Sequence, residues 1–85
     1  MSTSPQTLQV EVHLFAGLRE KLGASTVRRD VREGTTVAEL YAEMFPVGPA
    51  GRMPVMYAVE QAYVAGDTVL RDGVEVAFIP PLGGG

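Results

Sequence analysis

The sequence predicts an α+β domain in which one main helix packs across a mixed sheet. Three observations predict it. An alternating apolar segment runs over residues 8–14, a second over residues 74–78, and residues 36–44 between them carry a helical period.

The first segment places Leu8, Val10, Val12 and Leu14 on one side and Gln9, Glu11 and His13 on the other, the pattern of a half-buried strand. By the same parity His13 belongs to the solvated face. Residues 16–22 have room for one helical turn, and Gly23 is its natural stop. Val27 and Val31 lie in a polar second strand over 26–31, closed by Glu33-Gly34. In the main helix, Thr36-Val37-Ala38-Glu39 has the spacing of a capping box, in which hydroxyl and carboxylate each satisfy an otherwise unpaired backbone N–H. Val37, Leu40, Tyr41 and Met44 then share one face while Glu39 and Glu43 stay in water, and Pro46 ends the run. Three prolines and two glycines make residues 46–54 a loop. Short apolar runs come next at 55–59 and 62–65, with turn signals at Gly66-Asp67 and Asp72-Gly73. The first and last strands, similar in length and alternation, are candidates to pair at the centre of the sheet.

Bulk properties narrow the function. Eighty-five residues make one small domain, and with no cysteine its core must hold without disulfides. The same absence excludes a thiol nucleophile in this chain and fits a cytoplasmic setting. A single histidine rules out a multi-histidine metal site within one chain. A net charge of −3 argues against nucleic-acid binding, which leaves a basic footprint. Residues 1–7 have neither a basic start nor a long apolar run, so neither a signal peptide nor a membrane span is expected there, only a flexible leader. The domain proper is expected over 8–79 and an extended tail over 80–85.

That tail, Pro80-Pro81-Leu82-Gly83-Gly84-Gly85, is the most informative part of the sequence. Two consecutive prolines cannot donate ladder hydrogen bonds, so they stop the last strand and project the remaining residues away from the sheet. Six residues at about 3.3 Å each reach roughly 20 Å from the fold. Three glycines carry no side chain, which leaves the Gly85 α-carboxylate as the reactive group of the tip. Such a thin peptide suits a narrow channel in a partner.

Other polar groups have plainer readings. Glu60, Asp67, Asp72 and Glu75 are explained by turn and surface chemistry. Gly48 and Gly51 lack the strand–loop–helix setting of a nucleotide loop. Arg28, Arg29 and Arg32, flanked by Asp30 and Glu33, read as a solvated edge. Phe15, Ala77 and Ile79, together with Leu82, form a candidate docking surface, with completion of the core as the competing reading.

Three stretches carry a family resemblance. They are Leu14-Phe15-Ala16-Gly17-Leu18-Arg19-Glu20 with Leu22-Gly23, the 36–44 helix, and the closing run from Ala58-Val59 through Asp67, Leu70, Asp72-Gly73, Glu75-Val76-Ala77-Phe78, Ile79-Pro80-Pro81 and Gly84-Gly85. Over residues 8–85 the chain resembles the ubiquitin-like sulfur carriers of the β-grasp fold, and most closely the small subunit of molybdopterin synthase. Three positions depart from the family pattern. Glu60 stands where Asn is common, and Glu tolerates the left-handed conformation less, so this hairpin is expected to differ locally. Val74 replaces a commonly acidic residue, and Gly83 replaces a small one, which should loosen the tail.

The resemblance implies a carrier that is not catalytic alone and binds no resident cofactor. An E1-like adenylyltransferase would use ATP to convert the Gly85 carboxylate to an acyl-adenylate. A sulfurtransferase or cysteine desulfurase would then supply sulfur for a thiocarboxylate. In the synthase, a heterotetramer with the large subunit, residues 80–84 would enter the active site and the Gly85 thiocarboxylate would attack cyclic pyranopterin monophosphate. Alternatives are a carrier for another acceptor (transfer-RNA thiolation, thiamine thiazole or sulfur-amino-acid assembly), a protein modifier conjugated through Gly85, and an interaction module with an inert tail.

Overall fold

The computed structural model describes residues 7–46 and 54–80. Seven elements succeed one another: β1 (Thr7–Leu14), α1 (Ala16–Leu22), β2 (Thr26–Arg32), α2 (Val37–Met44), β3 (Met56–Val59), β4 (Ala62–Val64) and β5 (Glu75–Ile79). The strands form one five-stranded sheet in the order β2-β1-β5-β3-β4. β1 and β5 run parallel at its centre, with Val12 opposite Val76 and Leu14 opposite Phe78. All other pairs are antiparallel, so the sheet is mixed, as expected.

The alternation in β1 and β5 sends Val10, Val12, Leu14, Val76 and Phe78 to one side of the sheet, where each is almost wholly buried. α2 covers that side with Val37, Leu40 and Tyr41. The Tyr41 ring meets Phe78 at a centroid distance of 5.0 Å and Tyr57 at 6.1 Å. Tilted and edge-on aromatic contacts of this kind add roughly 0.5–1.5 kcal/mol each beyond the area they bury.

Local chemistry closes the elements. The capping box of α2 is formed: Glu39 N–H donates to Thr36 Oγ1 at 3.2 Å and Thr36 N–H donates to Glu39 Oε1 at 2.9 Å. The loop before β5 supplies two further acceptors to the same helix start. Val37 N–H donates to the Thr68 carbonyl and Ala38 N–H to the Gly66 carbonyl. Gly66 approaches so closely that a Cβ there would sit 3.1 Å from Ala38 Cβ and 3.2 Å from Tyr57 Cε2. At the end of α1, Gly23 takes the left-handed conformation at φ 80° while its N–H donates to the Arg19 carbonyl.

Boundaries shift slightly from the sequence expectation. Thr7 already pairs with Arg32, so β1 begins one residue earlier, and β2 extends to Arg32 with it. Among the described residues, no helix is long and apolar enough to cross a membrane.

Candidate functional site

β5 sits between two hydrogen-bonded neighbours and ends at Ile79, immediately before Pro80. The root of the tail is therefore fixed at the centre of the sheet. Pro80 is half-buried; Pro81, Leu82, Gly83, Gly84 and Gly85 lie outside the described residues.

The side of the sheet turned away from α2 carries a hollow of about 320 Å³. Its origin lies in the register. Ala58 of β3 stands directly opposite Ala77 of β5, so two small side chains meet where larger ones would fill the surface. Phe15, Tyr63 and Ile79 rise around this floor. The structure thus brings Phe15, Ala77 and Ile79 together, and the competing reading, that they complete the core, does not hold. Ala77 and Ile79 are half-buried and Phe15 is 44% exposed, all outside the interior cluster. Met56 opposite Ile79 and Tyr63 opposite Ala58 extend the apolar area, both exposed.

Phe15 owes its position to a backbone irregularity. Ala16, the next residue, takes φ 49°, in the left-handed region that non-glycine residues seldom occupy. The chain turns sharply there. Leu18 drops into the core while the Phe15 carbonyl accepts from Leu18 N–H, leaving the Phe15 ring on the outer face.

The other end of the hollow is polar. His13 Nε2 lies 2.7 Å from Glu75 Oε2 and 3.7 Å from Glu11 Oε2. The distances are those of an ion pair, but the direction makes no hydrogen bond, and Nε2 is hidden from solvent. Parity alone places His13 in water; it is instead tucked against Glu75, because the parallel β1–β5 pairing sets it beside Ala77, too small to push it out.

The β3–β4 turn also departs from expectation. Glu60 and Gln61 both take positive φ, 53° and 68°, so the hairpin keeps the left-handed turn that Glu was expected to disturb. Its carboxylate explains this. Glu60 Oε2 accepts from Glu75 N–H at 2.6 Å, and Glu60 N–H donates to the Glu75 carbonyl at 2.8 Å. The turn residue grips both backbone groups of Glu75. Asp72 plays a similar part at the start of β1, accepting from Gln9 N–H at 2.9 Å. Of the four acids Glu60, Asp67, Asp72 and Glu75, two are thus backbone acceptors. Among the described residues, no group of three or more His, Cys, Asp or Glu side chains is arranged to hold a metal ion.

Comparison with known proteins decides the kinship: residues 12–85 match the ThiS family. The chain belongs to the ThiS family. A relative from Chlamydomonas reinhardtii, a molybdopterin synthase sulfur carrier subunit, is 34% identical over 92% of this chain and all of its own length. The corresponding Arabidopsis thaliana protein is 28% identical over 99% of this chain and 91% of its own. Among solved structures, small archaeal modifier protein 1 of H. volcanii superposes with a TM-score of 0.74 at 27% identity, covering 88% of this chain and 99% of the other. The fold is accordingly the ubiquitin-like β-grasp, and this ThiS-family chain is a sulfur carrier related to the small subunit of molybdopterin synthase.

Sequence reasoning missed Ala58, Tyr63, His13 and Glu75 as neighbours of the docking residues. Parity already assigned His13 to the outer face, and Glu75 was read as a surface acid. The β3–β5 register that adds Ala58 and Tyr63 had no local signal.

Proposed function

We propose that the chain donates sulfur as the small subunit of a molybdopterin synthase, with the Gly85 carboxylate as its working group. The observation that carries this reading is the reach of the family match, which runs to residue 85 and so takes in the prolines and glycines of the tail. A carboxylate is a poor electrophile. An E1-like adenylyltransferase overcomes this by joining it to the α-phosphate of ATP with loss of pyrophosphate. A donor persulfide then attacks the acyl carbon and expels AMP, and a second thiol cleaves the resulting acyl disulfide to leave the thiocarboxylate. In the heterotetramer the tail enters the large subunit, and the thiocarboxylate sulfur attacks cyclic pyranopterin monophosphate as nucleophile. Acid–base work belongs to the large subunit.

The outer sheet face serves as the handle. Ordering the tail costs on the order of 1–2 kcal/mol per residue, more for glycine. The folded body must therefore supply most of the affinity, and the hollow between Phe15, Ala77 and Ile79 is the surface suited to it. A second reading, conjugation of Gly85 to lysines, draws support from the likeness to a protein named as a modifier.

Intact mass measured after incubation with the adenylyltransferase, ATP and a sulfur donor tests the proposal. One oxygen-for-sulfur exchange at the terminus is expected. Deleting Gly85 should abolish it while leaving the thermal midpoint nearly unaltered. Lysine conjugates in place of the exchange favour the modifier, and an unchanged mass refutes both.

A further inference from the structure

The hollow has two chemically different ends. Phe15, Tyr63 and Ile79 make one of them apolar. At the other, Glu75 lines the wall and Glu11 stands beside it across the β1–β5 pair, yet among the described residues no lysine or arginine lines the hollow. Glu11 itself borders a separate recess with Arg28, its opposite number on β2, and with Gln9 and Gly73. His13 meets each of these carboxylates through the Oε2 oxygen, at 2.7 Å for Glu75 and 3.7 Å for Glu11. A carboxylate has about four lone-pair sites, so both retain capacity to accept from a donor. Glu75 is also held firmly, since Glu60 binds its backbone at N–H and carbonyl. A fixed acid with spare acceptor capacity beside an apolar socket is a two-part recognition surface.

We propose that the acidic end reads a basic side chain, arginine or lysine, which the partner carries next to the apolar side chain that fills the hollow. The inference rests on the sulfur-carrier reading, because it takes the occupant to be the partner protein. A wholly apolar partner would strip water from Glu75 and Glu11 and return nothing, which disfavours it. A guanidinium or ammonium group replaces that water with charge-assisted hydrogen bonds. The apolar contact supplies area, and the charge sets register on a face that is otherwise smooth.

The probe is the molybdopterin synthase large subunit from the same source. Its affinity is measured against salt for the wild type, Glu75→Gln, Glu11→Gln and the double variant. The double variant is expected to bind about tenfold more weakly at low salt and to lose most of the salt dependence. Thermal midpoints should stay together, since the Glu60 grip uses the backbone of residue 75 and not its side chain. Wild-type binding matched by the double variant at every salt concentration overturns the inference while leaving the carrier reading intact. Failure of the wild type both to bind the large subunit and to acquire sulfur overturns the two together. Self-association of the free chain, weakened by the same substitutions, would identify a second copy as the occupant and overturn the partner assignment.

Discussion

Replacing Ala77 by leucine separates a docking hollow from a piece of the core. Ala77 lies on the outer face of the central strand, opposite Ala58 and beside His13, and its partial exposure results from the open space above it. Leucine adds three carbons that enter about 320 Å³ of free volume lined by Phe15, Tyr63 and Ile79. Each buried CH₂ contributes about 0.8 kcal/mol, and a half-covered site gives a fraction of that, so the free chain should gain roughly 0.5–1 kcal/mol. Leucine also suits a strand at least as well as alanine. For a domain of this size the midpoint then rises by several degrees, at about 4–8 °C per kcal/mol. Docking should move the opposite way. A partner side chain that fills the hollow contributes about 1.5–3 kcal/mol when fully buried, and leucine would take its place. The loss corresponds to a dissociation constant raised roughly 10- to 150-fold. Thermal unfolding followed by circular dichroism and titration calorimetry against the large subunit give the two numbers. Affinity within threefold of wild type would show that the hollow receives nothing. A large drop in midpoint would show that Ala77 is packed interior, against its position in the structure.

Two further outcomes concern the supports of the site. Gly66→Ala should destabilise by about 1–2 kcal/mol, because the new Cβ meets Ala38 Cβ and Tyr57 Cε2 at 3.1 and 3.2 Å and the overpacking outweighs the small entropic gain of alanine; a midpoint at or above wild type in a melting experiment refutes this. Glu60→Ala should cost about 1 kcal/mol by removing the carboxylate that receives Glu75 N–H, whereas Glu60→Gly removes the same bond but relieves the left-handed φ and should end near neutral. Urea unfolding that ranks alanine above glycine contradicts that account of the turn.

Much of the architecture was legible because its signals are local. The alternation of Val10, Val12 and Leu14 depends only on the two-residue period of a strand. The Thr36–Glu39 box depends on four consecutive residues, and both appear in the structure as the sequence implies. The pairing of β1 with β5 was inferred from likeness of pattern and is present. The floor of the hollow was not legible, since Ala58 and Ala77 become neighbours only through a register fixed by long-range packing of Tyr57 and Phe78. Nor was the environment of His13, which parity assigns to a face but not to a partner on another strand. Glu60 misled for a related reason. Its intrinsic reluctance toward positive φ is a single-residue property, and the hydrogen bond that overcomes it comes from a residue fifteen positions away.

The placement of hollow and tail on one strand has a mechanical consequence. Ile79 borders the hollow and Pro80 is the very next residue, so the proposed docking surface and the point where the tail departs share adjacent residues. β5 is hydrogen-bonded on both sides, by β1 and β3, and its inward side chains Val76 and Phe78 are fully buried. A strand so held resists local opening more than an edge strand such as β2 or β4. Under the proposed docking, gripping the hollow would fix the root of the tail at Pro80 with little slack. A docked body would make delivery of Gly85 an intramolecular event, whose effective concentration is set by the short stretch beyond Pro80 rather than by diffusion of the whole protein. Had the docking surface lain on the face of α2, the same tail would begin on the far side of a sheet and helix, and its reach of roughly 20 Å would be spent on the way around.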